Sequence, residues 1–304
     1  MSKKTYFFCI LFFLLTFQLQ FQLFGVQNDS LVVSRFYQYL YNYKFLSADT
    51  VLRSIGKQNY SPRVVSILEI SLAWWQIISG ECSPESADSL FQKIDSEIDL
   101  IENKTQKSDL SQDEYIQLII LYSYKSRLHN YQNNRLASFN AFKHSFKYFE
   151  ELEPCESGYC DMYNFIAGMY YALGGHLREQ FSPVFLLGLD RNYADKEKGY
   201  TLLDQCTRSR NSQIRTESIY FLMKLYYEIQ EDPVYASKFS GQLVNLYPDN
   251  LVFRFNHILI LIEQGKYVEA DIAYRIFLTF ADKNRQLTPC QKKHFSEEYN
   301  KLKR

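Results

Sequence analysis

Two segments constrain the fold more than anything else in the chain. Glu231-Asp-Pro-Val-Tyr-Ala236 and Gly265-Lys-Tyr-Val-Glu-Ala270 align with their alanines 34 residues apart. A fixed period of this length marks stacked supersecondary units, each too small to bury its apolar face alone. The mechanics follow from the residue types. A small alanine lets one helix approach its partner closely, the aromatic packs across the turn, and Pro248 ends the second helix. Tyr220 opens the first of these units and Tyr247-Pro-Asp-Asn250 closes it. Weaker copies lie upstream. Tyr43-Lys-Phe-Leu-Ser-Ala48 is one, closed by Pro62, and Ala87, Ala137 and Gly199 take the corresponding place in others. Their spacings of 39, 50 and 62 depart from 34, so the upstream loops are expected to carry insertions. In the last unit Asp282 stands where the proline would be.

The rest of the chain reads the same way. Only 11 Gly and 7 Pro occur in 304 residues, below average usage, and no Asn-Gly or Asp-Gly pair offers a tight hairpin. Apolar residues recur at helical spacing nearly throughout. Helices are predicted over 31–43, 47–58, 63–79 and 84–103, and from the capping box Ser111-Gln-Asp-Glu114 onward. Others are predicted over 134–151, 156–172, 195–207, 213–229, 233–246, 251–263, 267–281, and from 288 to the end. Gly174-Gly175 is expected to stop the seventh, leaving 174–194 as an irregular insertion that is apolar in its middle. Two roles suit that insertion: a flap over the groove of the C-terminal repeats, or a short extra helix patching a seam. The 25 Tyr and 24 Phe are read first as filling between helices.

The 34-residue unit with Gly-x-Tyr-x-x-Ala at its turn and proline at its end resembles the tetratricopeptide repeat. The stretch 163–253 is further similar to envelope tetratricopeptide proteins of Bacteroidetes-type bacteria. The residues that carry this are Gly168-x-x-Tyr171, Phe185-Leu-Leu, Asp195-Lys-Glu-Lys-Gly199 with Leu202-Leu203, Thr216-Glu217-Ser-x-Tyr220-Phe-Leu222, and Tyr247-Pro-x-Asn250-x-x-Phe253. The resemblance implies an all-α fold, a right-handed α-solenoid of tetratricopeptide-like helix pairs, with no catalytic assignment. The expected organisation is a signal peptide over 1–26, degenerate helix-pair repeats over 27–154, and clearer repeats over 155–304 containing the insertion 174–194.

Lys3 and Lys4 precede the uncharged apolar run 6–15, which has the form of a secretory signal, with Gly25 near the expected cleavage point. Gln18, Gln20 and Gln22 interrupt the run before it reaches a full span, and an uncleaved anchor is the alternative. Either way the body is expected to be exported to the periplasm or cell envelope. Beyond the signal, Cys82, Cys155, Cys160, Cys206 and Cys290 make an odd number. Free buried thiols are the first expectation, a Cys155–Cys160 disulfide the second, and a zinc site the third.

With 34 basic and 34 acidic residues, the chain lacks the basic excess that nucleic acid demands. The end of the chain is locally basic (Lys283, Arg285, Lys292, Lys293, Lys301, Lys303 and Arg304), which suits a helix C-terminus and, as an alternative, peripheral membrane association. No metalloprotease, nucleophile-elbow or phosphate-loop motif occurs, and no cofactor or metal is expected. His176 has the most site-like setting of the five histidines, beside Arg178 and Glu179, whereas His257 sits among Phe253, Phe255, Ile258 and Leu261 as a core imidazole. Glu97, Asp99 and Glu102 are read as a solvated helix face. The expected function is non-catalytic binding of a protein or peptide partner. The repeat alignment points Phe221, Leu225, Glu228, Phe255 and Leu259 toward a concave groove, with inter-helix packing as the competing role. The alternative function is a structural subunit of an envelope assembly, docking through its terminal helices.

Overall fold

The computed structural model describes residues 29–57, 60–80, 84–103, 110–154, 160–180 and 193–302. The predicted signal peptide, Cys155 and the apolar middle of the insertion (181–189) lie outside the described residues. Among those residues the fold is all-α, with 13 helices and no strand. In chain order these are α1 (Asp29–Tyr41), α2 (Phe45–Gly56), α3 (Pro62–Ile78), α4 (Pro84–Glu102), α5 (Gln112–Tyr131), α6 (Arg135–Glu150) and α7 (Cys160–Gln180). They continue as α8 (Lys196–Cys206), α9 (Ser212–Lys224), α10 (Pro233–Leu246), α11 (Leu251–Glu263), α12 (Tyr267–Lys283) and α13 (Pro289–Leu302). Sequence neighbours pack in pairs, above all α5 with α6, α7 with α8, α10 with α11, α11 with α12, and α1 with α2.

One turn recurs between paired helices. Tyr43, Asn133, Glu231 and Gly265 have φ of 56°, 61°, 52° and 72°, and each directly precedes the N-cap residue of the next helix. At three of them the carbonyls of the ending helix are closed by a pair of bonds, such as Gly265 N–H to Ile262 O (2.9 Å) and Lys266 N–H to Leu261 O (2.9 Å). This is the Schellman arrangement, which reverses the chain within three residues. Four residues after the cap stands a small buried side chain: Ala48, Ser138, Ala236 and Ala270, at 0, 0, 0 and 2% exposure. Gly199 holds the same place after the Asp195 cap of α8, where a Cβ would fall on the backbone of Ala172. The repeat position in α6 is therefore Ser138, one residue later than the expected Ala137, which is only half-buried. A hydroxyl is tolerated at this site because it is paired. Ser138 Oγ donates to Ser126 O (2.7 Å) and Ser126 Oγ to Ser138 O (2.9 Å), so α5 and α6 touch through reciprocal bonds.

The chain divides into two compact units. One comprises 91–230 and the other combines 26–90 with 231–304. The division drawn from the sequence at residue 154 falls inside the first.

In the unit 91–230, α5 is buried from Ile116 to Leu128 on every side except at Lys125. Helix α7 differs from expectation. It runs through Gly174 and Gly175 to Gln180, so 174–180 is helical rather than irregular. The glycines are there for closeness: a Cβ on Gly174 would lie 2.5 Å from Tyr193 O, and one on Gly175 2.5 Å from Lys196 N. They let the start of α8 press onto α7 instead of ending it. The predicted helix 213–229 also changes character. It becomes a π-turn over Leu225–Ile229, closed by Gln230 N–H to Leu225 O (3.0 Å).

In the other unit, residues far apart in the chain share one core. Tyr41 and Trp75 pack with Tyr247 and Phe253, with ring centroids 5.6 Å apart for Tyr41–Trp75, 5.2 Å for Tyr41–Tyr247 and 5.6 Å for Trp75–Phe253. Four carboxamides tie the two stretches. Asn250 donates to Tyr41 O (2.9 Å) and Asn284 to Tyr43 O (3.3 Å), Gln286 accepts from Leu46 N–H (3.0 Å), and Gln291 donates to Ser79 Oγ (2.8 Å). Asn250 and Asn284 are one 34-residue period apart, so two successive repeats grip the same α1–α2 turn.

Candidate functional site: a groove between α2 and α3

Helix α2 presents Asp49, Leu52, Arg53 and Gly56, spaced i, i+3, i+4 and i+7, so they share one face. Opposite them α3 presents Val65, Glu69, Leu72, Ala73 and Gln76, again a single helical face. Together these residues line a groove of about 330 Å³. Leu52 and Leu72, 6 and 7% exposed, form the floor, and Val65 and Ala73 are half-buried on its sides. Nothing lies within 4 Å of a Cβ placed on Gly56, so the glycine keeps the α2 wall low. The rim is charged. Arg53 Nε sits 2.8 Å from Asp49 Oδ2 with the arginine side chain 77% exposed, and Glu69 faces from α3. An apolar floor with charged groups at its edge accepts an apolar side chain and orients what is attached to it; the volume is at the lower end of ligand sites, which start near ~300 Å³.

The residues assigned to a groove by repeat alignment are divided between the two units. Phe221 and Leu225 are 0% exposed. They belong to a segment buried almost throughout from Gln213 to Leu225, which makes them core rather than lining. Glu228, in the π-turn, pairs with Lys224, and the two side chains are only 13 and 4% exposed. Burial pushes the Glu228 carboxyl up, while Glu228 holds the Lys224 ammonium above its ordinary value against the burial that disfavours it. Phe255 and Leu259 belong to the other unit, half-buried on α11, with the Phe255 ring 6.4 Å from that of Phe277. The α2–α3 lining lies outside the clearest repeats, so repeat alignment does not single it out. The signal was nonetheless present as two facing stripes of mixed apolar and charged residues.

His176 lies inside α7 and is 3% exposed, with Nε2 3.1 Å from Tyr200 Oη. Burial, and then Lys196, push its pKa down to about 4, against the pull of Glu179. His257 Nδ1 is 2.8 Å from Ser240 Oγ, and burial likewise lowers its pKa. Glu102 departs from the expected solvated face. It accepts from Tyr122 (2.8 Å) and Tyr148 (2.6 Å), tying α4 to α5 and α6. Burial, reinforced by Glu102, raises the pKa of both phenols.

Cys290 is disulfide-bonded, whereas Cys206 is a free thiol, buried, with burial pushing its pKa up to about 12. The expectation of free buried thiols fits Cys206 and is corrected at Cys290. Among the described residues no group of three His, Cys, Asp or Glu side chains could hold a metal ion, and no helix is long and apolar enough to cross a membrane. Comparison with protein-family models, curated proteins and solved structures finds no match to this chain.

Proposed function

We propose that this chain is a non-catalytic, tetratricopeptide-like scaffold of the cell envelope that binds a segment of another protein, its helix pairs stacking in the right-handed solenoid manner within each unit. The α2–α3 groove carries the reading, because its apolar floor and charged rim suit an anchoring side chain on a peptide. The recurring turn and the small residue four positions after each cap support the repeat assignment. Lys3, Lys4 and the apolar run after them support export, as does a bonded Cys290, since disulfides persist in oxidising compartments. No nucleic acid, metal or cofactor is part of this proposal.

The test is a photo-crosslinking residue at Gln76, combined with recovery of bound protein from envelope extract by wild type and by Ala73→Arg. Ala73 is half-buried on the groove side, so arginine fills the groove while α3 keeps its helical propensity. A crosslinked peptide at Gln76, with recovery by Ala73→Arg reduced at least about tenfold (~1.4 kcal/mol) at an unchanged melting midpoint, is the expected result. Equal recovery by both proteins would remove the groove from the binding site.

A second reading, a structural subunit of an envelope assembly, draws on α12. Val268, Ile272 and Ile276 form an exposed stripe, at 71, 54 and 42%, on the side opposite the buried Ala270, Phe277 and Ala281. Stoichiometric co-purification that survives Ala73→Arg and is lost on Ile272→Glu would favour it.

A further inference from the structure

Helix α12 is apolar on two sides. Ala270, Phe277 and Ala281 face the core, while Val268, Ile272 and Ile276, 71, 54 and 42% exposed, follow one another outside at i, i+4 and i+8. The three outer residues are β-branched, so they have little rotamer freedom to lose when a contact forms on them. Glu269 and Arg275 stand three positions before and after Ile272. At about 100° per residue they lie about 60° to either side of it. Both are exposed, and among the described residues neither side chain has an ion-pair or hydrogen-bond partner. The outer face is thus an aliphatic ridge with an unmatched negative charge on one flank and an unmatched positive charge on the other, placed symmetrically about Ile272.

That symmetry selects the partner. A ridge of residues four apart packs against another of its kind with the helices crossing at about −50°. A second copy supplies such a ridge, and a two-fold axis can bring the two together in two ways. With the helices running in the same general direction, each ridge residue meets its own copy, and each flank sets Glu269 of one chain beside Arg275 of the other. With the helices reversed, Glu269 meets Glu269 and Arg275 meets Arg275, so the charges repel. We propose that this face joins two copies of the chain, α12 on α12 in the parallel sense, with Ile272 at the crossing and a Glu269–Arg275 ion pair on each side.

The exposed Lys283 lies eleven residues beyond Ile272, roughly in line with the ridge. At the crossing angle the helix axes have separated there by about 14 Å more than at Ile272, so the two lysines do not meet. The inference rests on the assembly reading, whose face it uses, and names a second copy as the partner. It is independent of the α2–α3 groove.

The experiment is sedimentation equilibrium of the purified full chain. A single helix crossing buries less than the roughly 1,200 Å² of a standard stable interface, so a dimer that dissociates in the micromolar range is expected. Ile272→Glu should be monomeric with unchanged circular dichroism, because the side chain is 54% exposed in the single chain. Glu269→Arg and Arg275→Glu should each weaken association at least about tenfold, and the double variant, which restores opposite charges on each flank, should return to within about threefold of wild type. Under mild oxidation Val268→Cys should join two chains through the introduced thiols, identified by mass spectrometry of the linked peptide, because only the parallel arrangement brings this position to its own copy. A wild-type chain monomeric to roughly 0.5 mM, a dimer that survives Ile272→Glu, or a double variant no tighter than the single ones overturns the proposal. A monomeric purified chain that still recovers a partner from envelope extract, lost on Ile272→Glu, overturns it too but leaves the assembly reading standing, so the two fail separately.

Discussion

His176 shows how one buried side chain sets a pH response. In the unfolded chain its imidazole titrates near the ordinary value of roughly 6.5. In the fold, burial and Lys196 bring it to about 4. Above pH 6.5 both states are neutral and the contribution to stability is fully present. As pH falls from 6.5 towards 4, the unfolded state binds a proton that the folded state refuses, and stability is lost across that window. The shift corresponds to roughly 3 kcal/mol, undiminished by solvent because the side chain is 3% exposed. His129 and His257 are lowered in the same direction, so the informative quantity is the difference between wild type and His176→Gln, which keeps a polar atom for Tyr200. Urea midpoints at pH 7.5 and 4.5 should converge in the variant. An equally steep loss in both proteins would show that His176 is not the titrating group. The sequence marked this histidine out, but the two glycines that precede it suggested a loop. Only the approach of Tyr193 and Lys196 to the glycine backbone reveals a packed helix.

Among the elements, the helix pair was the most readable, because its rules are local. An αL residue, a cap and a small residue four positions on can all be found within six consecutive residues. Where the signal was Ala48, Gly199, Ala236 or Ala270, the position agrees with the structure. Where two small residues adjoin, as in Ala137-Ser138, composition favoured the alanine, and counting from the Asn134 cap selects the serine. Side-chain burial separates the two choices. Ala270→Leu and Ser138→Leu should each overpack a helix contact and cost about 1–3 kcal/mol, the latter with the added loss of the bonds to Ser126. Ala137→Leu should cost far less, since the half-buried residue has room outward. Thermal midpoints of the three variants check this, and a larger loss for Ala137→Leu than for Ser138→Leu would return the register to the earlier alignment. The π-turn had no such local signature. Leu225 to Ile229 keeps helical periodicity in sequence, and the buried Lys224–Glu228 pair is an ordinary i, i+4 spacing that usually lies on a surface.

At the scale of the whole molecule, the division into units could not be read from repeats, because the contacts that define one of them join residues 209 to 241 apart. Local pattern shows that Asn250 caps α11, accepting from Phe253 N–H at 2.9 Å, but not that its amide reaches Tyr41 O. In the isolated stretch 231–304, Asn250, Tyr247 and Phe253 would face water in place of Tyr41 and Trp75. An aromatic cluster of this kind is worth several kcal/mol in buried area alone, comparable with the ~5–15 kcal/mol total stability of a typical domain. The fragment 231–304 should therefore melt without a cooperative transition, and co-expression with 26–90 should restore one. The fragment 91–230, continuous in sequence and holding α5 at its centre, should unfold cooperatively by itself. A fragment cut at the sequence-derived boundary, 155–304, should fail, because it divides 91–230 and also strips 231–304 of α1 to α3. Calorimetry or far-ultraviolet circular dichroism of the four preparations decides the matter. Cooperative melting of 231–304 alone would mean that the N-terminal helices only cover a core already complete without them.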